Sequence, residues 1–186
     1  GTEEIGIPII INSTHFEPRV ERDGIYLKKL AEGRNESVNK EIISKALSKS
    51  LLSFADLFKK KNICGIYELF DFELSKDLKW VDHEWLNTVK DKALILLASK
   101  EIIKFETMCN DYTCLNNLTI PYSDEKENIN ELWELLSEIS FLKVPLKTEL
   151  LNWVRIAESN ALIKPEINNV CNLKCVWGIN ELLEFI

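Results

Sequence analysis

Along residues 37–60, SVNKEIISKALSKSLLSFADLFKK, apolar side chains return every three or four positions. Val38, Ile42, Ile43, Ala46, Leu47, Leu51, Leu52, Phe54, Ala55 and Phe58 draw one wide stripe, as a helix that buries one side requires. Ser37 or Asn39 supplies a capping oxygen at its start. Lys59, Lys60 and Lys61 complement the helix dipole at its other end. A second helix is expected over 83–98, opened by Asp82, with Trp85, Val89, Ala93, Leu94, Leu96 and Leu97 on its buried face. A third is expected over 129–140 through Ile129, Leu132, Trp133, Leu136 and Ile139. Pro145 starts a new segment, and Leu146–Glu158 reads as a fourth.

The extended pieces are shorter and less regular. Isoleucines at 5–12 predict a strand, in which Pro8 marks an edge, a bulge or the strand start. Asn12-Ser13-Thr14 and Arg22-Asp23-Gly24 read as turns, so FEPRV and GIYL form a small hairpin or meander. Residues 62–80 have mixed periodicity and read as loops with a short strand or one helical turn. EIIKFE at 101–106 is β-compatible, LTIP at 118–121 reads as a strand stopped by proline, and ALIK at 161–164 as another. GINELLEFI at 178–186 reads as a closing helix. This order predicts an α+β fold: a small mixed sheet with long packed helices over residues 1–120, then a mainly helical extension over 121–186 packed on it.

Composition narrows the class. Apolar residues make up 46% of the 186 positions, with only 6 Gly and 5 Pro, which suits a folded core and not a disordered chain. The formal charge of −7 argues against a general nucleic-acid or anionic-membrane surface. FKKK at 58–61 is the lone basic run and reads as a solvated helix end. No stretch approaches the roughly 20 apolar residues that span a bilayer. No signal peptide is visible and the sole Met is Met108, so either a preceding segment or a residual leading Gly is expected. An odd number of cysteines, Cys64, Cys109, Cys114, Cys171 and Cys175, suits reduced cytoplasmic thiols.

Candidate chemistry is sparse. Cys109 with Cys114 and Cys171 with Cys175 could in principle make a four-thiolate zinc site, but neither pair has the tight CxxC spacing usual there. His15 lies near Ser13 and Glu17, yet there is no GxSxG elbow, and the bland reading is a turn histidine. His83 falls in the first turn of a helix, and His83-Glu84 does not continue as HExxH. No GxxxxGK[ST] or GxGxxG loop is present to wrap phosphates. Glu68, Asp71 and Glu73 read as solvated carboxylates. Five tryptophans, Trp80, Trp85, Trp133, Trp153 and Trp177, read mainly as core.

The succession IPIIINSTHFEP, VERDGIYL, GRNESVNKEI and then the helix through Phe58 resembles the region that follows the nucleotide-binding domain in Hsp90-like GHKL ATPases of the sacsin type. The resemblance is strongest over residues 5–60. It implies a transducer domain, an α/β unit related to the second domain of a small ribosomal-subunit protein, with the left-handed βαβ crossover associated with that fold. It also implies a non-catalytic role: passing the nucleotide state of an upstream ATP-binding domain to a protein partner or substrate. ATP and Mg would belong to the parent protein, with no cofactor in this chain. Arg22, with Arg19 as the alternative, would reach toward the terminal phosphate, although Arg22 could equally brace its own turn through Glu21 or Asp23. Two other classes compete. One is an interaction module of a bacterial regulatory or defence protein, using the helical half and exposed tryptophans. The other is an enzyme whose site gathers His15, Arg19, Arg22 and remote carboxylates.

Overall fold

The long stripe folds as α1, Glu36–Lys61. In the computed structural model, residues 2–18, 24–29, 36–74, 77–107, 111–160 and 176–178 are described. The face that α1 buries is narrower than its apolar stripe: Asn39, Ile43, Leu47, Leu51 and Ala55, each four residues from the last. Ile43, Leu47 and Leu51 are almost completely buried, each stabilising by about 2 kcal/mol. Phe54, placed on the stripe by periodicity, is exposed instead. α2, His83–Ala98, packs against α1. Asp82 caps it as expected, accepting the Trp85 amide at 3.1 Å. Its buried face includes Leu86, while Trp85 and Leu96 are only partly covered.

The isoleucine-rich segment is not a strand, which corrects the expectation for 5–12. Gly6 takes φ +75°, and a Cβ there would stand 1.9 Å from the Glu73 carbonyl oxygen. The chain therefore turns tightly against the backbone of 73–74 and cannot run extended. Ile5 and Ile11 are buried while Ile10 points to solvent. The Thr2 hydroxyl takes the place of a strand partner, accepting the Ile11 N–H at 2.7 Å. Of the expected hairpin, the described residues show a Pro18–Ile25 bridge and a Tyr26 N–H donated to the Glu17 carbonyl at 3.3 Å; Arg19 and Val20 lie outside them.

Beyond these, strands are brief. β1, Ile103–Lys104, pairs antiparallel with β2, Tyr112–Thr113. β3, Ile120–Pro121, pairs parallel with β4, Val176–Trp177. Neither β2 nor β4 is visible as a strand in the residue pattern, since two-residue pairings leave no alternation to read. Residues 66–70 form the single helical turn that 62–80 allowed. α3, Asn128–Ser137, and α4, Leu150–Ser159, complete the helices described. A 3-10 turn over Lys147–Glu149 leads into α4 and replaces the first turn of the expected helix. The segments read as ALIK strand and closing helix lie outside the described residues, apart from Gly178.

The class is α+β. One cluster of buried side chains runs from Ile5 to Ala157, with Trp153 and Phe70 at its centre. α4 packs against the 66–70 turn and against β3. Among the described residues, no helix is long and apolar enough to cross a membrane.

Candidate functional site

One polar side chain stands on the buried line of α1. Asn39 has no exposed surface, and an amide in that position needs partners for its oxygen and both N–H groups. It finds them on the chain that precedes α1. Its Oδ1 accepts the Glu17 N–H at 2.8 Å. Its Nδ2 donates to the Glu17 carbonyl at 2.9 Å and to the Tyr26 carbonyl at 3.0 Å. For Glu17 the amide acts as a neighbouring strand would, exchanging both backbone bonds. Asn39 is therefore not a helix cap. It fastens residues 17 and 26 to the first turn of α1.

Between those fastened residues the sequence reads Pro-Arg-Val-Glu-Arg-Asp-Gly from 18 to 24. Arg19 and Arg22 lie outside the described residues, but both of their anchors are described. Beside the anchors opens a depression of about 510 Å³ lined by Asn12, Ser13, Thr14, Phe16, Pro18, Gly24 and Ile25. Among the described residues its wall carries amide and hydroxyl groups and no carboxylate or imidazole. His15 is exposed, and its backbone N–H donates to the Ser13 Oγ at 3.1 Å. Ser13 thus stabilises a turn, and the described groups here do not form a nucleophile–base pair.

A second set of bonds ties the same anchors to α2. The Leu27 carbonyl accepts the Asp82 N–H at 3.2 Å, and Leu27 and Val81 form a parallel bridge. Asp82 also pairs with Lys40 at 2.6 Å, and the Lys40 ammonium lies 5.5 Å from the centre of the Trp85 ring. The Lys40 hydrogen bond, followed by that of the Trp85 amide, holds the Asp82 carboxyl below the usual aspartate range. Asn39 and Lys40 are consecutive, so Asn39, Tyr26-Leu27, Asp82 and Lys40 form a closed ring.

The other candidates separate. Trp80, Trp133 and Trp153 are buried and Trp85 is partly buried, while the side chain of Trp177 lies outside the description. Among the described side chains, no tryptophan is exposed, whereas Phe54 and Phe141 are. Asp71 and Glu73 both pair with Arg155 of α4 at 2.9 Å, which draws these two carboxylates to one cation. Cys64 is exposed and Cys114 buried, both as free thiols. Cys109, Cys171 and Cys175 lie outside the described residues, among which no cluster of three or more metal-ligating side chains occurs. Sequence reasoning missed Asn39 as a tether. The available signal was its register: an amide four residues before Ile43 on the most buried line of the helix. No family model, curated protein or solved structure matches the chain.

Proposed function

We propose that this chain is a non-catalytic transducer, coupling the nucleotide state of a preceding Hsp90-like ATP-binding domain to contacts with a protein partner or substrate. Arg22, or Arg19 in its place, faces the terminal phosphate of ATP held with Mg by that domain. The observation that carries the reading is the attachment of Glu17 and Tyr26 to α1 through the buried Asn39 amide. A phosphate pulling on the connection between them acts on a 26-residue helix. At 1.5 Å per residue that helix is about 39 Å long. Its far end exposes Phe54 and Leu57, apolar side chains suited to a protein contact.

The experiment is Arg22→Ala in the longer protein that carries the ATP-binding domain. ATP turnover should fall about tenfold, equivalent to about 1.4 kcal/mol, and nucleotide-dependent domain closure should weaken. Turnover and closure both unchanged in Arg22→Ala and in Arg19→Ala would discard the phosphate role. Efficient ATP hydrolysis by this chain alone would discard the non-catalytic one.

A further inference from the structure

We infer that Asn39 is the positioning residue of a three-way junction that makes displacement of Glu17 and of Tyr26-Leu27 a displacement of the start of α2. The inference rests on the transducer reading for its purpose, but on described bonds for its mechanics. Tyr26 and Leu27 are adjacent and are held by different helices. The Tyr26 carbonyl accepts from Asn39 of α1 at 3.0 Å. The Leu27 carbonyl accepts from Asp82, the cap of α2, at 3.2 Å. Lys40 closes the ring to Asp82 at 2.6 Å. Neither helix can shift along the other without lengthening one of these bonds.

The ring stands at the N-termini of both helices. Asp82 does two things there: one carboxylate oxygen takes the Trp85 amide and the other takes Lys40. A pull on Leu27 reaches the Asp82 backbone, and a shift of α1 reaches its side chain. The Trp85 amide is the reporter of both. Asn39 contributes what no aliphatic side chain on that line could: it converts a helix position into three fixed bonds to the segment entering the helix. A purely packing residue would hold distance but not register.

Two arms of one experiment separate this inference from the phosphate reading. The first is amide hydrogen exchange on the 186-residue chain without ligand. In Asn39→Ala, exchange at Glu17 and Tyr26 should quicken at least tenfold, and at Trp85 at least threefold. The amides of Leu94 and Leu97 in the buried part of α2 should remain the more protected, and their change sets the baseline for lost global stability above which the quickening at Trp85 is read. In Lys40→Met, which keeps the Asn39 amide that bonds Glu17 and Tyr26, the Tyr26 amide should quicken at least threefold. Unchanged Trp85 exchange in Asn39→Ala overturns the junction. If Asn39→Ala does not fold, Lys40→Met decides alone, and an unaltered Tyr26 amide overturns it.

The second arm titrates the wild-type chain with inorganic triphosphate, following backbone amide shifts. Saturable shifts at residues 17–26, lost in Arg22→Ala, together with a shift at Trp85 that Asn39→Ala removes, are expected. Silence at residues 17–26 counts against the phosphate reading while leaving the exchange result to judge the junction. Binding at 17–26 with Trp85 unmoved counts against the junction and leaves the phosphate reading standing.

Discussion

Asn39 and Gly6 show how single residues fix the chain entering α1. Replacing Asn39 with alanine removes the bond that the Glu17 N–H donates and one that the Tyr26 carbonyl accepts; the Glu17 carbonyl keeps the Tyr26 N–H. A buried polar group left unpaired costs about 1–3 kcal/mol. Asn39→Ala should therefore lose about 2–4 kcal/mol, read as a lower urea midpoint. Asn39→Leu fits the apolar line of α1 and should recover none of this, which separates bonding from packing. Gly6→Ala has a different cause: a Cβ 1.9 Å from the Glu73 carbonyl oxygen, on backbone at φ +75°. Such strain costs on the order of 1–3 kcal/mol before the 73–74 backbone has moved, so Gly6→Ala should destabilise by at least about 2 kcal/mol. Neither residue was legible for what it does. Asn39 matches a capping pattern by identity, and Gly6 sits in an isoleucine run that scores as β by composition. Each role comes from partners well outside its own local segment, at least 13 residues away.

Helices were legible and strands were not, because the helices carry their own periodic signal. α2 was readable down to its Asp82 cap, since an N-cap is a local hydrogen bond between residues three apart. β3 and β4 pair across a separation of 56 residues, Ile120 with Val176, and such a pairing has no local trace. The α2 cap also makes a pH prediction. The Asp82 carboxyl lies below its ordinary value because Lys40 and the Trp85 amide favour its charged form. The unfolded chain binds that proton more readily, with a pKa of about 3.9. The contribution is complete above about pH 4 and disappears as pH falls through the depressed folded value. The carboxylate is about one-third exposed, so screening limits the effect to about 0.5–1 kcal/mol. Asp82→Asn keeps a capping oxygen but loses the charge pair. It should cost about that amount at pH 6 and flatten the loss of the urea midpoint between pH 4 and 2.5. A variant whose midpoint falls as steeply as the wild type would place the acid sensitivity elsewhere.

Across the whole molecule, residues 65–73 and 149–160 are held together by side chains of α4 and of the turns that flank it. Glu149 is buried and accepts the Gly65 amide at 2.8 Å and the Trp153 indole N–H at 3.4 Å. Trp153 in turn packs on Phe70, with ring centres 5.5 Å apart. Asn160 donates to the Phe70 carbonyl at 2.8 Å, and Arg155 joins Asp71 and Glu73. Residues 65–73 are thus bound to residues 149–160 along their whole length. The expected boundary near residue 120, between an α/β part and a mainly helical part, lies between these two sets of residues, and the described bonds and one buried cluster span it. Unfolding should therefore be a single transition. With 5-fluorotryptophan incorporated, the resonances of Trp80 and Trp85 before the boundary and of Trp133 and Trp153 after it should vanish at one urea concentration. Glu149→Ala leaves the Gly65 amide and the Trp153 indole without acceptors, and should lower all four midpoints together by an amount equivalent to about 2–4 kcal/mol. Glu149→Gln keeps an oxygen for Gly65 but turns an N–H toward the Trp153 N–H, so its loss should be smaller and still shared. If only Trp133 and Trp153 move, the chain folds as two units and the α4 bonds are a docking interface. A transducer needs the shared response, because a displacement at one end reaches the other only through a core that does not divide.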